Sequence, residues 1–155
     1  MAPRVIFLNA AKAFMKLGQN DRAVEMLDKG REVMHRFPLE GIPLGMSTND
    51  YIVIGMVEAY YDLGEVNKAR ELGALMAADL LESTRFYLEF FEFGKNEFDM
   101  CGSYVYFLAD VFKDAGDTDL ADKLTGAFSK LIDWASGEFD EPEAASEAAA
   151  LDTVS

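Results

Sequence analysis

One turn signal occurs three times in this chain: a glycine inside a short polar stretch, followed five positions later by an alanine. The three copies are Lys16–Ala23, Asp62–Ala69 and Asp114–Ala121. Glycine takes the left-handed backbone conformation that ends a helix, and a small alanine lets the next helix pack closely on the one before. The repeat therefore predicts three helix–turn–helix units, but it does not specify what those units bind.

Composition favours helices over strands, because Ala, Leu, Met, Glu and Lys are abundant. The chain has 155 residues, of which 50% are hydrophobic, and this suffices for one domain with a buried core. We therefore expect an all-α protein with a helical domain over residues 4–136 and an acidic, Ala-rich, flexible tail over residues 137–155. No segment approaches the roughly 18 apolar residues of a membrane span, so we expect neither a spanning helix nor a signal peptide here.

Apolar spacing and turn residues place the helices. The expected helices are Arg4–Leu17, a second that ends before Pro38, Tyr51–Leu63, a fourth that starts near Val66, Met100–Ala115 and Leu120–Ala135. The first helix is expected to bury Ile6, Ala10, Ala13, Phe14 and Leu17, which recur at steps of three and four. The fourth helix has no stop signal before Gly94, and Ser83 and Thr84 are its candidate interruption.

The charge is strongly negative and uneven. The formal net charge is −14, and residues 1–36 hold seven Lys/Arg against four Asp/Glu, whereas residues 37–155 hold seven against twenty-four. Because nucleic-acid affinity comes from cations that neutralise phosphates, this composition excludes a nucleic-acid partner. The basic end is compatible with head-to-tail docking or an acidic partner, and a solvated surface is the simpler interpretation.

Residues that support catalysis or metal binding are few. His35 is the sole histidine and Cys101 the sole cysteine, so the chain offers no internal disulfide, no zinc ligand set and little basis for a nucleophile–histidine pair. Asp114, Asp117 and Asp119 cluster at the third turn, where calcium ligation is one interpretation and helix capping the simpler one. We therefore expect a protein that is not an enzyme and has no cofactor.

Four positions recur in the same order in each predicted helix pair: a small residue, an aromatic residue, the turn glycine and a second small residue. They are Ala11, Phe14, Gly18 and Ala23, then Val57, Tyr60, Gly64 and Ala69, then Ala109, Phe112, Gly116 and Ala121. Over most of residues 4–135 the chain resembles tetratricopeptide repeats, although its turn glycines lie 46 and 52 residues apart and the family period is about 34. The chain also departs at Gly73 and Thr125, where a large residue is expected. The resemblance implies an α-α solenoid of three antiparallel helix pairs.

In tetratricopeptide-like folds, the first helix of each pair lines a groove. The positions that map to this groove are Lys12, Met15, Lys16, Glu58, Tyr61, Asp62, Tyr106, Asp110 and Lys113. Lysines at one end and carboxylates with tyrosines at the other predict a site for a protein or peptide partner, with a basic or amphipathic one favoured. The alternative is that three pairs form no groove and these residues are solvated.

A second candidate surface is a stripe of rings near the end of the fourth helix. Its members are Phe86, Tyr87, Phe90, Phe91 and Phe93. Rings at helical spacing are typical of a core, but a long fourth helix would carry part of this stripe into a homodimer interface.

A narrower resemblance covers about residues 4–93. The segments Lys16–Lys29 and Glu58–Ala69, with a Pro-rich connector between them, are similar to the soluble C-terminal region of bacterial multispanning membrane proteins related to protein O-mannosyltransferases. This resemblance implies a portion of a membrane protein, tethered through a preceding region, with the catalytic apparatus elsewhere. The sequence thus predicts a non-enzymatic interaction or docking module, with a self-associating structural domain as the alternative.

Overall fold

The computed structural model describes residues 3–35 and 47–137, and these residues form helices and turns without a strand. The helices are α1 (Pro3–Lys16), α2 (Asn20–His35), α3 (Ser47–Asp62), α4 (Val66–Glu89), α5 (Phe91–Asp114) and α6 (Thr118–Ala135). The all-α prediction is confirmed, whereas the solenoid arrangement of three pairs stays a prediction. None of these described helices has the length and apolarity needed to cross a membrane. The predicted tail lies outside the described residues, apart from Gly137.

The three predicted turns share one backbone geometry. Gly18, Gly64 and Gly116 have φ values of 69°, 78° and 86°, in the left-handed region that favours glycine. In each turn the glycine N–H donates to the carbonyl three residues earlier, at 3.0, 2.9 and 3.0 Å. The next N–H donates five residues back, to Phe14, Tyr60 and Phe112 at 2.9, 2.9 and 2.8 Å. These paired bonds are a Schellman motif, so each helix preceding a turn ends in the same way.

The alanine of each repeat is a buried residue near the start of the helix that follows the turn. Ala23, Ala69 and Ala121 are fully buried, and each donates its N–H four residues back, to the residue that follows the turn glycine. Gly73 and Thr125 do not provide the large residue expected beyond the second and third alanines. Leu72 and Leu124, one position earlier, are buried instead.

The face that α1 buries differs from the predicted one. Ile6, Ala13 and Leu17 are exposed, whereas Leu8 and Ala11 are buried. The reason is that α1 packs against both α2 and α3, so its buried stripe is set by two neighbours. The spacing of apolar residues along α1 therefore does not by itself predict which face of the helix is buried.

The boundary between α4 and α5 also differs from the prediction. Helix α4 ends at Glu89, and α5 begins at Phe91 rather than Met100. Gly94 has a non-helical backbone conformation inside α5, with φ −117° and ψ 20°. A Cβ atom at this position would lie 2.6 Å from Cδ1 of Tyr87, so the Tyr87 ring packs directly on the backbone at the kink. Thr84 does not interrupt α4, because its hydroxyl donates to the Leu80 carbonyl within the helix at 2.7 Å.

The chain folds as two compact units, and the boundary between them lies inside α4. Unit 1 ends at Leu72 and unit 2 begins at Gly73. In unit 1, α1, α2 and α3 pack on one another, and in unit 2, α5 packs on α6. The largest fully buried side chains of unit 1 are Tyr60, Leu27, Ile54, Met56 and Leu72, and those of unit 2 are Phe112, Met76, Leu80, Leu108 and Leu124. The predicted helical domain, residues 4–136, spans the boundary between the two units, and its limits stay a prediction.

Candidate protein interaction surfaces

Six of the predicted groove residues belong to unit 1, on α1 and α3. Lys12, Lys16, Glu58 and Asp62 are exposed, and Met15 and Tyr61 are partly exposed. Two of them meet across the helices, because Lys12 Nζ lies 3.7 Å from Glu58 Oε2. An exposed pair of this kind contributes little to stability, about 0–1 kcal/mol, so both charges remain accessible to a partner.

The other three predicted groove residues, Tyr106, Asp110 and Lys113, lie on α5 in unit 2. They are spaced by four and three residues, which places them on one side of the helix, and all three are exposed. The exposed fraction of Tyr106 is 55%. Its ring meets the Phe128 ring edge-on, with centroids 5.8 Å apart, so this large exposed side chain is held in position by a buried neighbour.

Tyr106 is one end of a continuous row of rings that the sequence pattern did not predict. The Phe98 ring stacks on Phe128 with centroids 6.3 Å apart, and Phe91 contacts Phe98 edge-on at 5.7 Å. A Cβ at Gly102 would lie 3.2 Å from Cζ of Phe128, so the Phe128 ring rests on the α5 backbone. We call Phe91, Phe98, Phe128 and Tyr106 the aromatic row. The signal for it in the sequence is Gly102, four residues from both Phe98 and Tyr106.

The predicted ring stripe is divided between surface and core. Phe86, Phe90 and Phe91 are 42%, 51% and 44% exposed, and the rings of Phe86 and Phe90 are 4.9 Å apart. Tyr87 is buried against Gly94. The Phe93 side chain lies outside the described residues. The folded chain therefore offers three rings of this stripe, and not Tyr87, to another molecule.

A polar cluster in unit 1 joins α2, α3 and the first turns of α4. Asp28 accepts a hydrogen bond from the Tyr60 hydroxyl at 2.8 Å and another from Lys68 Nζ at 2.7 Å. Lys68 Nζ also lies 3.7 Å from Glu65. Burial, followed by the hydrogen bond to Asp28, raises the pKa of Tyr60 well above its ordinary value. Since Tyr60 is fully buried, the cluster connects helices and offers its hydroxyl to no external substrate.

A buried charged side chain lies at the start of α1. Arg4 is buried, and burial lowers the pKa of its guanidinium, while the nearby Asp50 on α3 opposes that shift. The Arg4 side chain remains charged at neutral pH, because the guanidinium group of arginine loses its proton only in strongly alkaline solution. This pair therefore connects the first turns of α1 and α3.

The described residues do not bring the candidate metal ligands of the sequence together. No three His, Cys, Asp or Glu side chains within residues 3–35 and 47–137 are grouped so that they could hold a metal ion. Asp117 is the N-cap residue of α6, but its side chain makes no capping hydrogen bond, and Asp119 lies in the first turn of that helix. Cys101 is buried, and the His35 side chain lies outside the described residues.

Among the described residues, the predicted groove positions are exposed or partly exposed on α1 and α3 in unit 1 and exposed on α5 in unit 2, and three rings of the predicted stripe are exposed in unit 2 as well. The resemblances to tetratricopeptide repeats and to the O-mannosyltransferase-related proteins stay predictions. No protein-family model, curated protein or solved structure matches this chain.

Proposed function

We propose that this chain is a non-enzymatic module that binds a protein or peptide partner through the exposed side of α5. The observation that supports this function best is Tyr106, which is more than half exposed yet fixed by its ring contact with Phe128. Tyr106, Asp110 and Lys113 together form the α5 surface.

A fixed, exposed tyrosine is well suited to binding. The ring supplies a large apolar area and a hydroxyl, and little side-chain entropy is lost when a partner orders it. Asp110 follows one turn later and Lys113 nearly one turn beyond that, so charged groups border the ring. Interface hot spots commonly combine such an aromatic residue with a polar rim.

The common turn geometry supports a tetratricopeptide-like arrangement as part of this proposal. Because α1, α3 and α5 each end in a Schellman turn, their residues can be compared by counting back along the sequence from the turn glycine. Lys12, Glu58 and Asp110, each six residues before that glycine, are all exposed. Each of these helices therefore presents a charged residue at the same distance from its end.

Site-specific photo-crosslinking tests the proposed function. A benzoylphenylalanine group placed at Tyr106 in the full chain should capture a defined partner in extracts of the source cells, and the same group at Tyr51 should not. Tyr51 is the matched control because it is an exposed tyrosine on α3 in the other unit. Tyr106→Ala should weaken binding of the captured partner by about 30-fold, the size expected for an interface hot spot. Equal capture at both positions would exclude this function.

Self-association is a second candidate function, and the exposed rings Phe86, Phe90 and Phe91 favour it. Exposed rings close together are unusual on a monomer surface and often mark an interface. Analytical ultracentrifugation over a wide concentration range should then show a dimer that Phe90→Ser converts to a monomer. A monomer at every concentration would exclude this candidate without affecting the first.

A further inference from the structure

The shared turn geometry allows α1, α3 and α5 to be compared residue by residue. Counting back ten residues from each turn glycine reaches Leu8, Ile54 and Tyr106. Leu8 and Ile54 are 6% and 0% exposed, whereas Tyr106 is 55% exposed. The same position is therefore covered in the first two copies and open in the third.

Unit 1 shows what covers this position. Helix α3 packs against α1, and a Cβ at Gly55 of α3 would lie 3.0 Å from Cδ2 of Leu8. The α3 backbone therefore approaches Leu8 closely because residue 55 has no side chain. A helix with a small residue at the contact point is the kind of element that buries this position.

In unit 2, the exposed side of α5 has the apolar area that a further helix would bury. Helix α6 contacts α5 and places Phe128 between Phe98 and Tyr106. Ile132, one turn after Phe128 on α6, is 38% exposed. From Phe98 to Tyr106 the helix rises about 12 Å, so two to three turns of another helix span this part of the aromatic row.

The charges around Tyr106 indicate the sign of the partner. Asp99 precedes Tyr106 by seven residues, Asp110 follows it by four and Lys113 by seven, so two carboxylates and one ammonium group lie on its side of α5, and all three are exposed. Among the described residues neither carboxylate forms an ion pair. Residues 73–137 contain twelve Asp/Glu against five Lys/Arg. A basic partner is therefore favoured over an acidic one.

This charge disfavours the two occupants that the chain itself could provide. A second copy that packed through this same surface would place the same carboxylates opposite Asp99 and Asp110. Residues 138–155 contain six acids and no Lys or Arg. Like charges facing each other across an interface are unfavourable, so the favoured occupant belongs to a different protein.

We infer that the α5 surface docks a basic amphipathic helix of another protein, which packs on Tyr106 as α3 packs on Leu8. Its apolar stripe carries Ala or Gly where it crosses Tyr106, and its flanking Lys or Arg residues pair with Asp99 and Asp110. This inference rests on the proposed interaction function and specifies the class of partner.

Three synthetic peptides of about 20 residues test this inference against the full chain by fluorescence anisotropy. The first is an amphipathic helix with an Ala/Leu stripe flanked by lysines. The second has the same composition in an order without a stripe, and the third has Glu in place of Lys. The first peptide should bind at least tenfold more tightly than the others, and the binding should weaken as salt is added.

Substitutions then locate the binding site. Tyr106→Ala and Asp110→Lys should each weaken binding of the first peptide at least tenfold, and Tyr51→Ala should leave it unchanged. Asp110→Lys leaves the aromatic row intact, so its effect is informative even if Tyr106→Ala unfolds part of unit 2. Equal binding by all three peptides, or binding that Asp110→Lys leaves unchanged, would overturn the inference.

Hydroxyl-radical footprinting of the dilute full chain tests the other occupants. Tyr106 should be labelled as readily as Tyr51, whereas protection of Tyr106 would mean that the chain's own terminal residues or a second copy cover it, and would overturn the inference. If Tyr106-dependent capture of a partner succeeds but the basic helix does not bind, the class of partner is wrong and the interaction function stands. If capture does not depend on Tyr106, the proposed function itself fails.

Discussion

At the scale of single residues, Gly64 and Gly126 separate two effects of glycine on stability. A Cβ would meet no atom within 4 Å at either position, so neither substitution causes a clash. Gly64 has φ 78°, whereas Gly126 lies inside α6 and does not have a positive φ. The two sites therefore differ in backbone conformation rather than in space.

Gly64→Ala should lower the free energy of unfolding by about 1 kcal/mol, because a Cβ is disfavoured in the left-handed region. Gly126→Ala should raise it by about 0.5–1 kcal/mol, because alanine favours the helix interior. Urea unfolding of both variants measures the two changes. Changes of the same sign would show that the second turn does not have the geometry described.

The stability of unit 1 should depend on pH through Tyr60. Burial and the hydrogen bond to Asp28 raise the pKa of Tyr60 in the folded chain, so the folded state holds the proton more tightly than the unfolded state. This stabilisation is complete below the ordinary tyrosine pKa of about 10 and is lost as pH rises above it, by at most about 1.4 kcal/mol per pH unit.

Tyr60→Phe provides the control for this dependence. The variant should be less stable at neutral pH by about 1 kcal/mol, because Asp28 loses a hydrogen-bond donor. Its stability should then fall less steeply than that of the wild type between about pH 10 and pH 11.5. If the free energy of unfolding fell equally steeply with pH in the wild type and in Tyr60→Phe, the pH dependence could not be attributed to Tyr60.

At the scale of elements, the sequence predicts the turns better than the packing faces. Gly18, Gly64 and Gly116 determine their turns through local backbone preference, and a local signal is readable from sequence. The orientation of α1 depends on α2 and α3 together, so the period of Ile6 and Leu17 indicated the wrong face. The break between α4 and α5 depends on how Tyr87 packs on Gly94, which is a tertiary contact.

The kink at Gly94 predicts a large effect of a small substitution. Gly94→Ala would place a Cβ 2.6 Å from Cδ1 of Tyr87, so the ring or the backbone must move. We expect a loss of about 1–3 kcal/mol in the free energy of unfolding, the usual cost of overpacking. Calorimetric or urea unfolding measures this loss, and Gly126→Ala serves as the uncrowded control.

A double mutant shows whether Tyr87 is the cause. In a Tyr87→Ala background the crowding is absent, so Gly94→Ala should cost much less than it does in the wild type. An unchanged cost in the double mutant would attribute the effect to the backbone conformation of Gly94 instead.

At the scale of the whole molecule, the candidate surfaces were partly predictable. The resemblance to tetratricopeptide repeats predicts Tyr106 and Asp110 as groove positions, and both are exposed, while the groove itself stays a prediction. Phe98 and Phe128 were missed, because their contact depends on the packing of α6 on Gly102. The repeat spacing located exposed positions, but the ring contacts that fix Tyr106 required the structure.

Charge is distributed unevenly between the two units. Residues 1–72 contain nine Lys/Arg against ten Asp/Glu, whereas residues 73–137 contain five against twelve. Unit 1 also holds cross-helix ion pairs, including Lys12 with Glu58 and Lys68 with Asp28. Repulsion among acids is therefore concentrated in unit 2, and attraction between opposite charges in unit 1.

Salt should consequently stabilise unit 2 more than unit 1. Raising ionic strength from about 0.01 M to about 0.15 M shortens the screening length from about 30 Å to about 8 Å, which weakens repulsion among the acids of α5 and α6. In unit 1 the same screening weakens attractive pairs as well, so the gain there is smaller. Hydrogen exchange read by mass spectrometry should show protection rising with salt chiefly in α5 and α6.

Sucrose is the uncharged control and should protect both units alike. A salt effect of equal size in both units would mean that repulsion within residues 73–137 does not limit their stability.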